Sequence, residues 1–500
     1  MSRMQDIKRR VSLFFSHRQH FVKIAWYTSK NLWLLAIPLT KHLIASSFDI
    51  VQWVRINWVD ILSVSGIFAL AIARWVFVSF RIEDDGIVAH TGLFGMVRTK
   101  VYYSQLTSAS FCQAWYGRPF GAHTVFLETN AKTISRAEVK LLISRKNAEK
   151  LYGYISNVSA GRTRATYSPR KLHLVVFSLL FSSAFTGILL YGTFMFRLNK
   201  LVGTEMERQV LLTVNGEITK IDSQTLNLTK TVPRIILVIA GAVIGAWSIS
   251  FITTLVRHWS FTVSRTDKQL LIKSGVFVKR RHIINRDRVN FCDLTQTLTM
   301  KIFKICSVTL DCTGYGKSRR EISALVPITT YDNVNASLSM LVPELPRAKP
   351  EIKTGGANDV RIFVTLPALM CVIPTLIIQL LNRYFPNHNP DLNVLIAIIT
   401  VPMIWLVIVK TAAAFNTSVG FDSEGCVLNY CKWFRFHKVL LPKSNISMIR
   451  ITRNPLQLIT DKCNLLVYTT GEKRRPHRIN FLQYSALREL CRREGYHMFK

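Results

Sequence analysis

Acidic residues are scarce in this chain: Asp and Glu number 29 against 65 Lys and Arg, leaving a net charge of +36 over 500 residues. Hydrophobic residues nonetheless make up 49%. Soluble basic proteins are rarely this apolar, and membrane proteins are rarely this basic unless large domains lie on the positive-inside face. Paired cysteines are also missing. The nine present, at 112, 292, 306, 312, 371, 426, 431, 463 and 491, form no Cys-x-x-Cys pair and have no matching His spacing, which favours reduced, apolar filler over a zinc or disulfide framework. No phosphate-cradling Gly-x-x-x-x-Gly-Lys-Ser/Thr, no Gly-x-Gly-x-x-Gly, no His-Glu-x-x-His and no Gly-x-Ser-x-Gly occurs, so nothing supports an ATP-driven pump or a hydrolase of those classes. No catalytic residue, metal or cofactor is expected. The basic runs lack interleaved stacking aromatics, which argues against a nucleic-acid partner.

What the chain does contain is long apolar runs, roughly Trp26 to Ser46, Trp58 to Phe80, Leu172 to Tyr191, Ile235 to Leu255, Ile362 to Leu381 and Leu392 to Val409. A helix needs about 20 apolar residues to cross a bilayer, so these predict six spans falling in pairs. The first is interrupted by Lys30 and Lys41, and lying in the interface competes with spanning there. Lys and Arg crowd the N-terminal tail and the segments after each pair, which places those segments on the cytoplasmic side. Arg9 and Arg10 faintly resemble a twin-arginine signal, but no apolar core or cleavage site follows, and a basic amphipathic start is the expected reading.

The segments after the pairs repeat. Leu106 to Val125, Val289 to Val308 and Ile446 to Leu465 share a step of 19 residues. Gly92 in one turn answers Gly275 in the next, predicting strand, turn, strand in both. In the third copy Lys432 stands where the glycine should be, so a bulge is expected in that hairpin. Alternating runs such as ValTyrTyrSerGlnLeu predict short strands, and apolar spacing at Ala148, Leu151, Tyr152 and Ile155 predicts a closing helix.

This pattern of strand, Gly-Leu/Val-Phe turn, basic strand and then Leu106, Val289 or Ile446, directly after paired apolar runs, resembles the bacterial pleckstrin-homology-like (PH-like) domain of the second bacterial type. Three such domains, each behind two spans, resemble the YdbT-like membrane proteins. The resemblance implies an α+β membrane protein with six transmembrane helices in three pairs, each pair followed by a PH-like partly open β-barrel capped by a C-terminal helix. The expected division is a basic tail (1–25), a helix pair (26–80), a module (81–160), a second pair (172–256) around an outer loop (197–234), a module (257–345), a third pair (361–411) and a module (412–500). It implies no catalytic residues, and names as partners anionic membrane lipid, a smaller single-module YdbS-like protein or a second copy. Fold alone does not choose among them.

The basic clusters are the remaining candidates for contact: Lys279, Arg280, Arg281, Arg286 and Arg288, then Arg435 and Lys438, then Lys473, Arg474 and Arg475. They either grip anionic headgroups, each Lys or Arg contributing about 1 kcal/mol near a negative leaflet, or merely record topology. Two functions follow. One is a non-enzymatic scaffold or adaptor in the bacterial inner membrane with cytoplasmic modules, acting in envelope stress or tolerance of membrane-active peptides. The other is a transporter or lipid-handling channel formed by the six spans, for which Arg74 and the prolines at 38, 367, 374 and 402 are the sparse markers.

Overall fold

The computed structural model describes residues 18–29, 54–55, 58–92, 96–129, 139–157, 162–181, 234–312, 324–354, 356–384, 389–470 and 476–495. Helix α1 (Trp58–Phe77) leads into module 1, built from β1 (Ser79–Ile82), β2 (Gly86–Thr91), β3 (Val97–Tyr102), β4 (Leu106–Gln113), β5 (Ala122–Thr129), β6 (Val139–Ser144) and the closing helix α2 (Arg145–Asn157). A short strand β7 (Ala165–Tyr167) and helices α3 (Lys171–Phe181) and α4 (Arg234–His258) precede module 2. That module comprises β8 (Thr262–Arg265), β9 (Gln269–Ser274), β10 (Lys279–Asn285), β11 (Val289–Thr297), β12 (Ile305–Cys312), β13 (Ala324–Thr330) and α5 (Tyr331–Leu341). Then come β14 (Ile352–Lys353), α6 (Ala357–Tyr384) and α7 (Asn389–Asn416), and module 3 of β15 (Ser418–Asp422), β16 (Gly425–Lys432), β17 (Arg435–Pro442), β18 (Ile446–Thr452), β19 (Lys462–Thr469), β20 (His477–Gln483) and α8 (Tyr484–Arg493).

The repeat is literal at the level of hydrogen-bond register. Leu106, Val289 and Ile446 each open a strand, β4, β11 and β18, directly after a single 3₁₀ turn. Each strand carries a bulge at its start, between Leu106 and Ser108, Val289 and Phe291, and Ile446 and Met448. The closing helices bury one stripe at helical spacing. Ala148, Leu151 and Ile155 in α2, Val334, Leu338 and Leu341 in α5, and Leu487, Leu490 and Cys491 in α8 pack into their module cores.

The three modules do not stand apart. Sheet order runs β1-β2-β3, then β6-β5-β4-β10-β9-β8-β7, then β13-β12-β11-β17-β16-β15-β14, then β18-β19-β20. The second half of one module and the first half of the next therefore form one seven-stranded antiparallel sheet. Cores follow the sheets: Ile283 of module 2 packs in the core of module 1, Val427 and Leu440 of module 3 pack in that of module 2, and Phe291 of module 2 packs in that of module 3.

The expectation of six transmembrane helices in three pairs, each pair followed by its own barrel, is not met. Among the described residues one stretch, Asp359–Leu381 in α6, is long and apolar enough to cross a membrane, with mean hydropathy 2.2, while Ile61–Phe77 and Pro402–Asn416 are shorter. The physical reason is that an apolar run does not distinguish helix from buried strand. The run from Trp58 ends as a helix at Phe77, and Phe80 is 2% exposed in the core of module 1 as part of β1. At the other end of the chain, Val409 and Ala413 in the last turns of α7 are buried against Phe436 of β17. The run expected from Trp26 begins in a short helix over 22–29 that is tied to module 1, where His20 N donates to Leu142 O at 2.7 Å and Trp75 Nε1 donates to Gln19 O at 2.7 Å. Residues 30–53, and 182–233 with most of the outer loop, lie outside the described residues.

The bulge expected in the third hairpin is absent. β16 and β17 pair without interruption up to Lys432 opposite Arg435. Two residues separate its last pair, Lys432 and Arg435, against five between Thr91 and Val97 and between Ser274 and Arg280, and Trp433, at φ +54°, takes the left-handed turn position. In the first two hairpins Gly92 and Gly275, at φ +97° and +91°, do so.

Candidate functional site

The joints between modules are where the basic strands lie. β10 pairs with β4, setting Gln113 opposite Lys279, Phe111 opposite Arg281 and Ala109 opposite Ile283. β17 pairs with β11, setting Gln296 opposite Phe436, Leu294 opposite Lys438 and Cys292 opposite Leu440. The offset that carries Leu106 to Val289 and Val289 to Ile446 carries five of the six pairs of the first joint onto a pair of the second. Arg281 and Lys438 are thus equivalent, each a base facing an apolar residue of the preceding module, and the same offset leads back to Arg98 on β3.

Each joint holds a cleft. The first, about 170 Å³, lies between α2 and β10 and is lined by His123, Arg145, Glu149, Tyr152, Lys279 and Arg281. The Arg145 guanidinium, 2.8 Å from Glu149, holds that carboxyl below the usual range. Arg281 stands 5.9 Å over the Tyr152 ring. Two clefts at the second joint, about 410 and 350 Å³, share Leu294 and Lys438, and the larger also contains Lys301, Lys304, Tyr331 and Asp332. Burial pulls the ammonium groups of Lys438 and Lys301 below their ordinary value. Three lysines, Lys301, Lys304 and Lys438, thus line the larger cleft with one carboxylate, Asp332.

A family model for the bacterial PH domain matches residues 22–159 and 210–340, together more than half of the chain. The chain belongs to the bacterial PH domain family. No curated protein sequence matches it. The third module lies beyond the matched residues and shares with the first two the bulge at the start of its fourth strand and a closing helix.

Within the PH modules the expected contact residues separate. Lys279 and Arg281 are exposed on one face of β10, while Arg280, between them, points to the other and is half-buried. Arg286 is turned inward: its guanidinium pairs with Glu344 and donates to the carbonyls of Thr266 (3.3 Å) and Asp267, so it clamps module 2 and does not reach the cleft. Arg288 is exposed beyond the strand end. Arg435 faces Thr297 at the start of β17, and Lys438 enters the clefts. Lys473, Arg474 and Arg475 lie outside the described residues. Arg145, His123, Lys301 and Lys304 escaped sequence reading because they converge on the clefts only in space; Arg98 was reachable by carrying the repeat offset back from Arg281.

The PH modules also share exposed apolar loops. The β4–β5 connection exposes Trp115, Tyr116 and Phe120, the β11–β12 connection Ile302 and Phe303, and the β18–β19 connection Leu458 and Ile459. Hairpin tips add Met96, Phe277 and Trp433. Several of these loops sit at helix ends: Gly275 N donates to Trp259 O (2.9 Å), Arg118 reaches Val276 O, and Lys301 reaches Asn416 at the end of α7.

Proposed function

We propose that this chain is a non-enzymatic scaffold at the bacterial cytoplasmic membrane, with its PH modules on the cytoplasmic side holding anionic lipid headgroups in the clefts between modules. The observation that carries the reading is the equivalence of Arg281 and Lys438, bases at the same position of two joints, each lining a cleft beside further cations. Attachment is supported by the apolar stretch Asp359–Leu381 and by the exposed Trp, Phe and Ile side chains at the loops near the helix ends, a composition suited to the headgroup boundary. Linked clefts add avidity without a strong single contact. The resemblance to YdbT-like proteins extends the proposal to tolerance of envelope stress alongside a single-module YdbS-like partner.

The test uses the purified full chain in neutral detergent, with phosphatidylglycerol and phosphatidylcholine as probes and native mass spectrometry as readout. Replacing Lys279, Arg281 and Lys438 together by Gln is expected to reduce retained phosphatidylglycerol, by a margin that shrinks as salt rises before transfer. Equal retention of both lipids by parent and variant would sink the proposal.

A further inference from the structure

The array ends on two edges that its interior uses for joining. β3 of module 1 holds the place that β10 and β17 hold in the later modules, and β18 of module 3 holds the place of β4 and β11, yet among the described residues β3 and β18 are terminal strands of their sheets. Burial records the difference. All of β4 from Leu106 to Phe111 is buried, whereas in β18 Ser447, Met448 and Arg450 are exposed, as are Val97, Arg98, Lys100 and Tyr102 in β3.

Long exposed edges are templates for another strand, and proteins blunt them with bulges or charges. Neither device closes these. The bulge in β18 sits where β4 and β11 carry theirs, and both of those strands join the next module over the residues that follow it, from Ser108 and from Cys292 onward. Carrying the common register of the two joints to the free edges puts Thr452 opposite Val97, Ile451 opposite Arg98, Arg450 opposite Thr99 and Ile449 opposite Lys100. Ile451 facing Arg98 repeats Phe111 facing Arg281 and Leu294 facing Lys438. Lys100 already has counter-charge, at 2.9 Å from Glu83 and 3.0 Å from Asp85, and strand alternation sends Arg450 to the opposite face.

We propose that β18 of one copy pairs antiparallel with β3 of a second copy of this chain, a head-to-tail contact that continues the array in the register of its own internal joints. Such a contact is heterologous, so it closes a ring or extends an open row according to the rotation per copy. Its occupant is fixed by the edge itself: the segment that fits β18 is the β3 type, and a second copy carries it with no strand on its outer edge among the described residues.

Two differently tagged full-length copies, one with Thr452→Cys and one with Val97→Cys, are co-expressed and mildly oxidised. The expected result is a mixed-tag disulfide dimer at least about tenfold more abundant than from the off-register pair Thr452→Cys with Lys100→Cys, because a slip turns side chains to the wrong face. Light scattering of the unmodified chain in detergent is expected to show mass above one copy that grows with concentration. Equal cross-linking of both pairs, cross-linking of neither, a monomer at every concentration, or capture by Thr452→Cys of a different polypeptide would each overturn the proposal.

Discussion

The two internal joints share a register and differ in chemistry. At the centre of the first, Ser110 faces His282, whose Nδ1 lies 2.7 Å from the Ser110 hydroxyl, both buried. At the same place in the second, Asp293 faces Val439, and the imidazole comes from two pairs along, His437 Nδ1 standing 2.8 Å from Asp293 Oδ2 with Tyr430 stacked on its ring. Backbone pairing and the apolar contacts that cross the joint therefore set the geometry, since they are what the two have in common. Polar side chains at the centre are free to vary and give each joint its own response to conditions.

The sharpest way to break that equivalence is to remove the apolar crossing. Ile283, 2% exposed, belongs to module 2 but packs in the core of module 1, and Leu440, 7% exposed, does the same for modules 3 and 2. Ile283→Ala and Leu440→Ala are each expected to cost roughly 3 kcal/mol through lost burial and the cavity left behind. Hydrogen exchange of the full chain should locate the loss on both sides of the altered joint and leave the other joint protected. Loss confined to the module that owns the residue would mean that the cores are not shared.

Acid should separate the joints. Burial pushes the His282 imidazole down to about 3, next to the positive Arg280. The unfolded chain protonates near the ordinary imidazole value and the folded chain does not, so between those limits the unfolded state binds more protons and stability rises with pH. The contribution is intact above about pH 6.5 and falls by roughly 2 kcal/mol by pH 5. Protection factors of the amides along β4 and β10, with the intrinsic pH dependence of exchange divided out, should fall as pH drops from 7 to 5, and His282→Asn should flatten that dependence. An unchanged profile in the variant would show that another group is responsible.

Much of this architecture was legible in the residues, and the failures have definite causes. The shared 19-residue step, the turn glycines at 92 and 275 and the closing helices all rest on local spacing, which a sequence displays directly. The joints rest on pairs such as Ser110 with His282, 172 residues apart, and no local pattern says which strand edge meets which. Helix pairs were overcounted because Phe77 and Phe80 continue one apolar run while belonging to a helix and a strand. The cluster from Lys279 to Arg288 looked like one site because it is contiguous. Strand alternation removes Arg280 from the face of Lys279 and Arg281, and the carboxylate of Glu344, distant in sequence, takes Arg286.

The smallest predicted effect concerns the bulge that opens each joining strand. A bulge interrupts the ladder and leaves a backbone group without its strand partner. At the first joint Asn285 donates its side-chain amide to Leu106 O, and at the second Asn445 donates to Val289 O and Asn290 O, both at 2.9 Å. Leu106 and Val289 are equivalent, but Asn285 and Asn445 are not: one lies on the joining strand and the other in the 3₁₀ turn after it. The chain thus supplies the same donor from two different positions, which points to a requirement set by the bulged carbonyl and not by the local sequence. Asn285→Ala and Asn445→Ala are each expected to cost about 1 kcal/mol, the penalty for stranding a part-buried acceptor. Thermal unfolding of the full chain in detergent should register both as small, similar losses, while Asn→Asp at either place, which removes the donor and adds a charge, should cost more. No loss at either site would mean that water serves the carbonyl equally well.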